Sequence, residues 1–287
     1  MKKLIKQLIV KIKGKTKKAL KSLLAIGLLM LASASALATP ITAGVVTWDP
    51  DSVLDFSAGS SFKQWFTTNN NGESDANIIT GDDITGAVTT ADIVTDFTTN
   101  NPPENDYFLT GFGIITALNG LTSASAYLCD GCELTYAFGG LKLEGDMLSF
   151  DETDAWFTLF SDSSEEFDLL AIHEDNYAAA QDGVVWLEGG FDSFAIISGT
   201  INAGFTEGLL SVTDGLAFGN FDTNGEPEGL GGSDISLSGS AQFSSSSPYN
   251  TSGTVDFEGD TIPEPSTLAI FALALLALAG VTRAKQR

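Results

Sequence analysis

Two cysteines stand three positions apart in the stretch AYLCDGCELTYAF, and the chain has no others. Asp130-Gly131 between alternating flanks is the signature of a two-residue hairpin turn. In that register Cys129 faces Cys132 and Tyr127 faces Leu134. Tyr127, Cys129, Cys132, Leu134, Tyr136 and Phe138 then share one apolar face. Opposed residues at a hydrogen-bonded pair lie about 5.5 Å apart at Cα, within the span of a disulfide. A structural disulfide is therefore the expected chemistry. A redox dithiol would need a βαβ setting and a helix N-terminus, and neither is visible. Two cysteines alone do not make a zinc site.

A second cluster offers oxygen ligands. In FDTNGEPEGLGG, Asp222, Asn224, Glu226 and Glu228 alternate around a glycine that lets the chain turn tightly. That ligand type and spacing suits a hard cation such as Ca²⁺, although the full twelve-residue EF-hand pattern is missing. A plain solvated acidic turn is the alternative. No other cofactor is implied. His173, in LLAIHEDN, is the only histidine. Multi-histidine metal centres are thereby excluded, and a Ser-His-Asp triad has one candidate base. No G-x-S-x-G elbow accompanies it. The acids are too numerous for any pair to be singled out as glycosidase carboxylates. With no catalytic constellation to name, the chain reads as a non-enzyme.

The charge is unevenly spread. Of 14 basic residues, nine lie in the first 21 positions and three in the last five, leaving only Lys63 and Lys142 between. Of 37 acids, Glu264 alone lies beyond Ile262, so residues 39–262 carry 36 acids against two lysines, a net charge near −34. Such a field repels phosphate backbones, which excludes direct nucleic-acid binding. It favours solubility, divalent cations and basic partners, and it equally fits adaptation to a salty medium.

Both ends read as processing segments. MKKLIKQLIVKIKGKTKKALK, then SLLAIGLLMLA, then SASALA give a basic region, a short apolar run and an A-x-A site with small residues at Ala36 and Ala38. Residues 1–38 are expected to be a secretory signal peptide for the Sec machinery, cut after Ala38. An uncleaved anchor is the alternative. At the other end, 17 uncharged residues run from Ser266 to Thr282. As a helix they would reach roughly 25 Å, the lower edge of a bilayer span. Arg283, Lys285 and Arg287 follow directly, and the positive-inside bias keeps that end cytoplasmic and the body outside. Pro263-Glu264-Pro265 holds the backbone extended just before the helix, a shape that a protease cleft accepts.

This tail, residues 262–287, resembles the PEP-CTERM sorting signal. Pro263, Glu264, Pro265, Ser266 and Thr267 form the motif, followed by the apolar helix and the basic end. The basic end departs from the pattern in being broken, Arg-Ala-Lys-Gln-Arg. The resemblance implies cleavage at the motif by an exosortase, a membrane-embedded cysteine protease-transpeptidase. It also implies transient anchoring in the inner membrane of a Gram-negative bacterium that makes exopolysaccharide, then transfer to the cell surface or extracellular matrix.

The body, residues 39–261, shows short runs with period-two character. They are AGVVTW, AYL, ELTYAF, AWFTLF, GVVWLEG, FAIISGTI, DISLSGSAQF and TVDFEGD, separated by turn chemistry. They predict an all-β body, an antiparallel β-sandwich or jelly roll. No amphipathic helix of three turns is evident, although IHEDNYAAAQ would form a short one. Residues 67–106 read as long polar loops around one or two strands. The expected function is that of a structural or interaction component of the envelope or exopolysaccharide matrix. The alternative is a glycan-binding or glycan-hydrolysing module, with Trp48, Trp65, Trp156 and Trp186 either stacking on sugars or filling the core.

Overall fold

The computed structural model describes residues 40–50, 55–73, 77–100, 102–171, 176–227, 230–243, 245–249 and 252–262. All of them lie within the compact unit Thr39–Glu264. The signal segment with Ala36 and Ala38 lies outside the described residues. So do His173, Glu228, Pro263, Glu264, Pro265, the apolar run 266–282, and Arg283, Lys285 and Arg287. Among the described residues no helix is long and apolar enough to cross a membrane.

The strands are β1 (Ile41–Ala43), β2 (Val46–Trp48), β3 (Phe56–Thr67), β4 (Ala87–Val88), β5 (Phe108–Leu118), β6 (Glu133–Leu143), β7 (Phe150–Asp151) and β8 (Trp156–Asp162). They continue with β9 (Val184–Thr200), β10 (Ala203–Asp214), β11 (Ile235–Gln242) and β12 (Ser252–Gly259). Among the described residues the α-helices are α1 (Gly81–Thr85), α2 (Thr90–Thr99) and α3 (Phe218–Phe221). Strands β3, β5, β6, β8, β9, β10, β11 and β12 each pair antiparallel with the next along that path. Then β12 returns to β3, from Gly253↔Phe62 through Gly259↔Phe56. The body is all-β as expected, but it is a closed eight-stranded up-and-down barrel and not the predicted sandwich or jelly roll. Closure removes the edges that a sandwich would leave.

Small residues make the closed interior possible. The rings of Phe62, Tyr136, Phe138, Phe157, Phe194 and Phe257 line the lumen. They fit because neighbouring strands place glycine opposite them. A Cβ on Gly113 would lie 2.6 Å from the Tyr136 ring and 2.5 Å from the Ser61 carbonyl. One on Gly111 would lie 2.8 Å from Phe138. At the seam, the Tyr136 hydroxyl donates to Ser60 Oγ at 2.9 Å, and Ser60 donates in turn to the Val255 carbonyl, also at 2.9 Å. Burial pushes the Tyr136 phenol above its ordinary range, so it stays a neutral donor.

Both mouths are capped. At one, Trp48 from the β1–β2 hairpin packs with Phe56, Trp186 and Phe221, ring centroids 4.7–6.2 Å apart. At the other, α2 buries Ile93 in the same core, with Val94 and Phe97 packed against it. Thr89 and Asp92 form a reciprocal cap on the first turn of α2. Asp96 then accepts from the Asn100 amide, the Glu104 and Asn105 N–H groups and the Tyr107 hydroxyl. These four donors hold its carboxyl well below the usual range.

Two local expectations need correction. Beside the strand β4, the polar stretch 67–106 contains the helix α1 and the ten-residue α2, where long loops around one or two strands were expected. The chain before the cysteines is not a hairpin arm: residues Ala124–Ala126 form a 3-10 turn, and Leu128 bridges Val46 of β2. Tyr127 therefore does not face Leu134. Strand β6 pairs with β5 on one side and β8 on the other, so it offers this arm no free edge along Thr135–Ala137. Cys129 and Cys132 are joined as a disulfide across the turn, with Cα atoms 5.3 Å apart.

The glycine–ring fit generates a test. Gly113→Ala should destabilise the chain by about 1–3 kcal/mol, the usual cost of overpacking. Gly145→Ala, whose methyl would meet nothing within 4 Å, should change stability by less than about 0.5 kcal/mol. Thermal unfolding of both variants beside the parent checks the pair.

Candidate functional site

A barrel offers two places for chemistry, its lumen and its outer wall. The lumen keeps a cavity of about 40 Å³, into which Gln64 and Thr206 turn among aromatic rings. A water needs roughly 10–15 Å³, so the space has room for a few waters.

One half of the outer wall is covered. Trp65, Phe112, Ala137, Trp156 and Phe160 point outward from β3, β5, β6 and β8 into a second core closed by Ile79, Ile84, Phe167 and Ala180. The cover is pinned by polar contacts. Trp65 Nε1 donates to the Asp83 carbonyl at 3.0 Å, Gln181 Oε1 accepts from Ile79 N–H at 2.7 Å, and Lys63 Nζ donates to the Ala171 carbonyl at 2.7 Å. All four tryptophans are buried, Trp48 and Trp186 in the main core and Trp65 and Trp156 here. They are core, and none presents a ring to a sugar.

At the rim of this cover Glu133, Asp162 and Asp182 bring carboxylate oxygens within 4.8 Å of one another. Glu133 is almost fully buried and accepts from the Phe167 N–H. Burial raises its carboxyl above the ordinary range, and the nearby Asp162 and Asp182 add to the effect. Burial and Asp162 likewise raise Asp182. Three oxygens at this spacing are a set that a hard cation accepts. The sequence hid the trio because its members lie on β6, at the end of β8 and in the loop before β9.

The loop expected to bind calcium is arranged differently. Asp222 and Asn224 are exposed, and Glu226 pairs through its backbone with Ser233. The loop is organised by Asp234, which is buried. It accepts from the N–H groups of Thr223, Asn224 and Val212 at 2.8–2.9 Å. Among the described residues, Asp222 and Glu226 join no trio of converging carboxylates.

Among the described residues, the other half of the wall, from β9 to β12, is open. Strand β11 turns Ile235, Leu237 and Ala241 inward and Ser236, Ser238, Ser240 and Gln242 outward. Registers place Ser240 between Phe205 and Thr254, with Ser61 beyond. They place Ser238 between Glu207 and Asp256, and Ser236 between Leu209 and Glu258. Three adjoining depressions of about 690, 430 and 630 Å³ follow this face. Phe205 is 62% exposed and Ile197 55% exposed at their junction. The alternation of serine in β11 is legible in the sequence. Phe205 is not, because an aromatic in a strand is normally read as inward. It points out because its neighbours Gly204 and Gly208 take the tight inward positions beside Ile196 and Phe194.

Comparison with known proteins bears on the tail. Residues 261–284 match the family model of the PEP-CTERM protein-sorting motif. No curated protein and no solved structure matches the chain significantly. The tail is thus a PEP-CTERM sorting signal, the mark of a bacterial protein that is exported and processed by an exosortase.

The acidic trio sets a pH dependence. With folded-state pKa values raised, the folded chain holds more protons than the unfolded chain, so stability falls as pH rises through the window just above the ordinary carboxylate range. Glu133→Gln keeps an acceptor for Phe167 and removes the buried charge. In chelator it should raise Tm at neutral pH by about 2–4 °C, what roughly 1 kcal/mol is worth at this size. It should also flatten the slope in that window. An unchanged slope would mean that Glu133 does not carry the effect.

Proposed function

We propose that this chain is a structural or interaction protein of the cell envelope or exopolysaccharide matrix. It is exported, held briefly in the inner membrane by its tail, and passed to the surface once the exosortase has acted at Pro263-Glu264-Pro265. The observation that carries the reading is the sorting signal at residues 261–284 on a body that presents only its outer surface. A closed barrel has no free edge to recruit other strands, which suits a protein stored at high density outside the cell. Its charge, 36 acids against two lysines over residues 39–262, keeps such copies apart. The body acts by contact and not by catalysis. Calcium, where it matters, would act at exposed acids such as Asp222 or at the Glu133 trio.

The test is the fate of the tail. In a host with the exosortase, surface protein should lack all peptides after about residue 265. A P263A/E264A double variant should instead remain full-length in the inner membrane fraction. Intact tail peptides in mass spectra of surface-exposed protein would contradict the reading.

A further inference from the structure

The open half of the barrel has a composition that selects one kind of ligand. Its floor is a ladder of short hydroxyl side chains, Ser61, Ser238, Ser240 and Thr254, spread over the three adjacent strands β3, β12 and β11. From Gln242 to Ser236 the floor runs ~20 Å along β11, at about 3.3 Å per residue. Phe205 stands above it as an exposed ring. Glu207 and Asp256 flank Ser238, and Glu258 follows on β12. Among the described residues no cation shares the surface: Lys63 is bonded to Ala171, and Lys142 is paired with Asp106 at 2.9 Å.

Each feature removes a class of partner. The barrel wall exposes no unpaired strand edge here, so a peptide cannot add as an extra strand. The unbalanced acids repel nucleic acid, anionic lipid and uronic-acid polymers. What remains is a long ligand rich in hydroxyls, with apolar C–H faces to lie on Phe205 and positive charge to meet Glu207 and Asp256. We propose that this face binds a polysaccharide carrying free amino groups, with Phe205 under a sugar ring and the Glu207–Asp256 row receiving the ammonium groups. The inference rests on the surface-sorting reading, since it supplies the matrix partner of a displayed body. The sugar hydroxyls exchange water for Ser240 and Thr254, while the ring contact buries apolar area that water otherwise covers.

The experiment uses the full-length chain in mild detergent, with oligomers of glucosamine, their fully N-acetylated counterparts and alginate as probes. Binding is read by calorimetry at mildly acidic pH and moderate salt. The glucosamine oligomer should bind, the acetylated one more weakly, and alginate not at all. Phe205→Ala changes no charge and should weaken binding at least about tenfold, as truncating a central aromatic anchor does. The pair Glu207→Gln/Asp256→Asn should weaken it by a similar factor. The pair Asp82→Asn/Asp130→Asn removes the same charge from exposed positions away from this face and should leave binding unchanged. Any acidic protein attracts a polycation, so equal loss from both charge pairs, with none from Phe205→Ala, would overturn the proposal. So would a concentration-dependent dimer abolished by Phe205→Ala, which would assign the face to a second copy of the chain. Tail processing scored in the same strains separates the two readings. A chain that reaches the surface correctly and binds no oligomer sinks this inference alone.

Discussion

The inward and outward positions of the barrel are set by one long-range pairing, that of β12 with β3. Residues 56–62 must find residues 253–259, close to two hundred positions away in the chain. Until they do, the other seven ladders form an open sheet with two bare edges and no enclosed interior. Once they do, Phe62, Tyr136, Phe138, Phe194 and Phe257 share one lumen. The Tyr136–Ser60–Val255 relay then ties β6, β3 and β12 together at the seam. The price in loop entropy grows only slowly with length. The non-local topology is instead expected to slow folding.

Closure also divides the labour of the outer wall. The half around β3, β5, β6 and β8 is buried under the segments holding Ile79, Ile84, Phe167 and Ala180, so its tryptophans stabilise and do not bind. Among the described residues the half from β9 to β12 is left bare, with hydroxyls, carboxylates, Ile197 and the ring of Phe205 exposed on it. This half of the wall is, among the described residues, a side-chain ladder, and the chain that carries it ends in a PEP-CTERM sorting signal. In the role proposed above, its acidity would keep copies apart and favour the approach of cationic polymers.

What could be read from the sequence follows from where each strand puts its large residues. ELTYAF, AWFTLF, DISLSGSAQF and TVDFEGD alternate apolar and polar residues or run continuously apolar, and they lie in β6, β8, β11 and β12. GVVWLEG and FAIISGTI fall in one long strand, β9. Strands β3, β5 and β10 escaped because glycine and serine occupy inward positions such as Ser60, Gly113 and Gly208, while Trp65, Phe112 and Phe205 point outward. That inversion has a cause that is not local: a narrow lumen takes large rings only where the facing strand is bare. The choice of barrel over sandwich was illegible for a similar reason, since both use the same short antiparallel strands and differ in whether the last meets the first. The tail was the reverse case. Its function is an address carried by contiguous residues, and it needs no tertiary structure to be recognised.

Native-state hydrogen exchange tests the closed barrel most directly. If β12 and β3 close the sheet, amides in 56–62 and 253–259 should exchange only through the global opening that also exposes β5 and β6. Their opening free energies should then coincide, and should fall together in mild denaturant. Amides of β12 that exchange far faster than those of β6, as at a fraying edge, would show an open sheet and contradict the account.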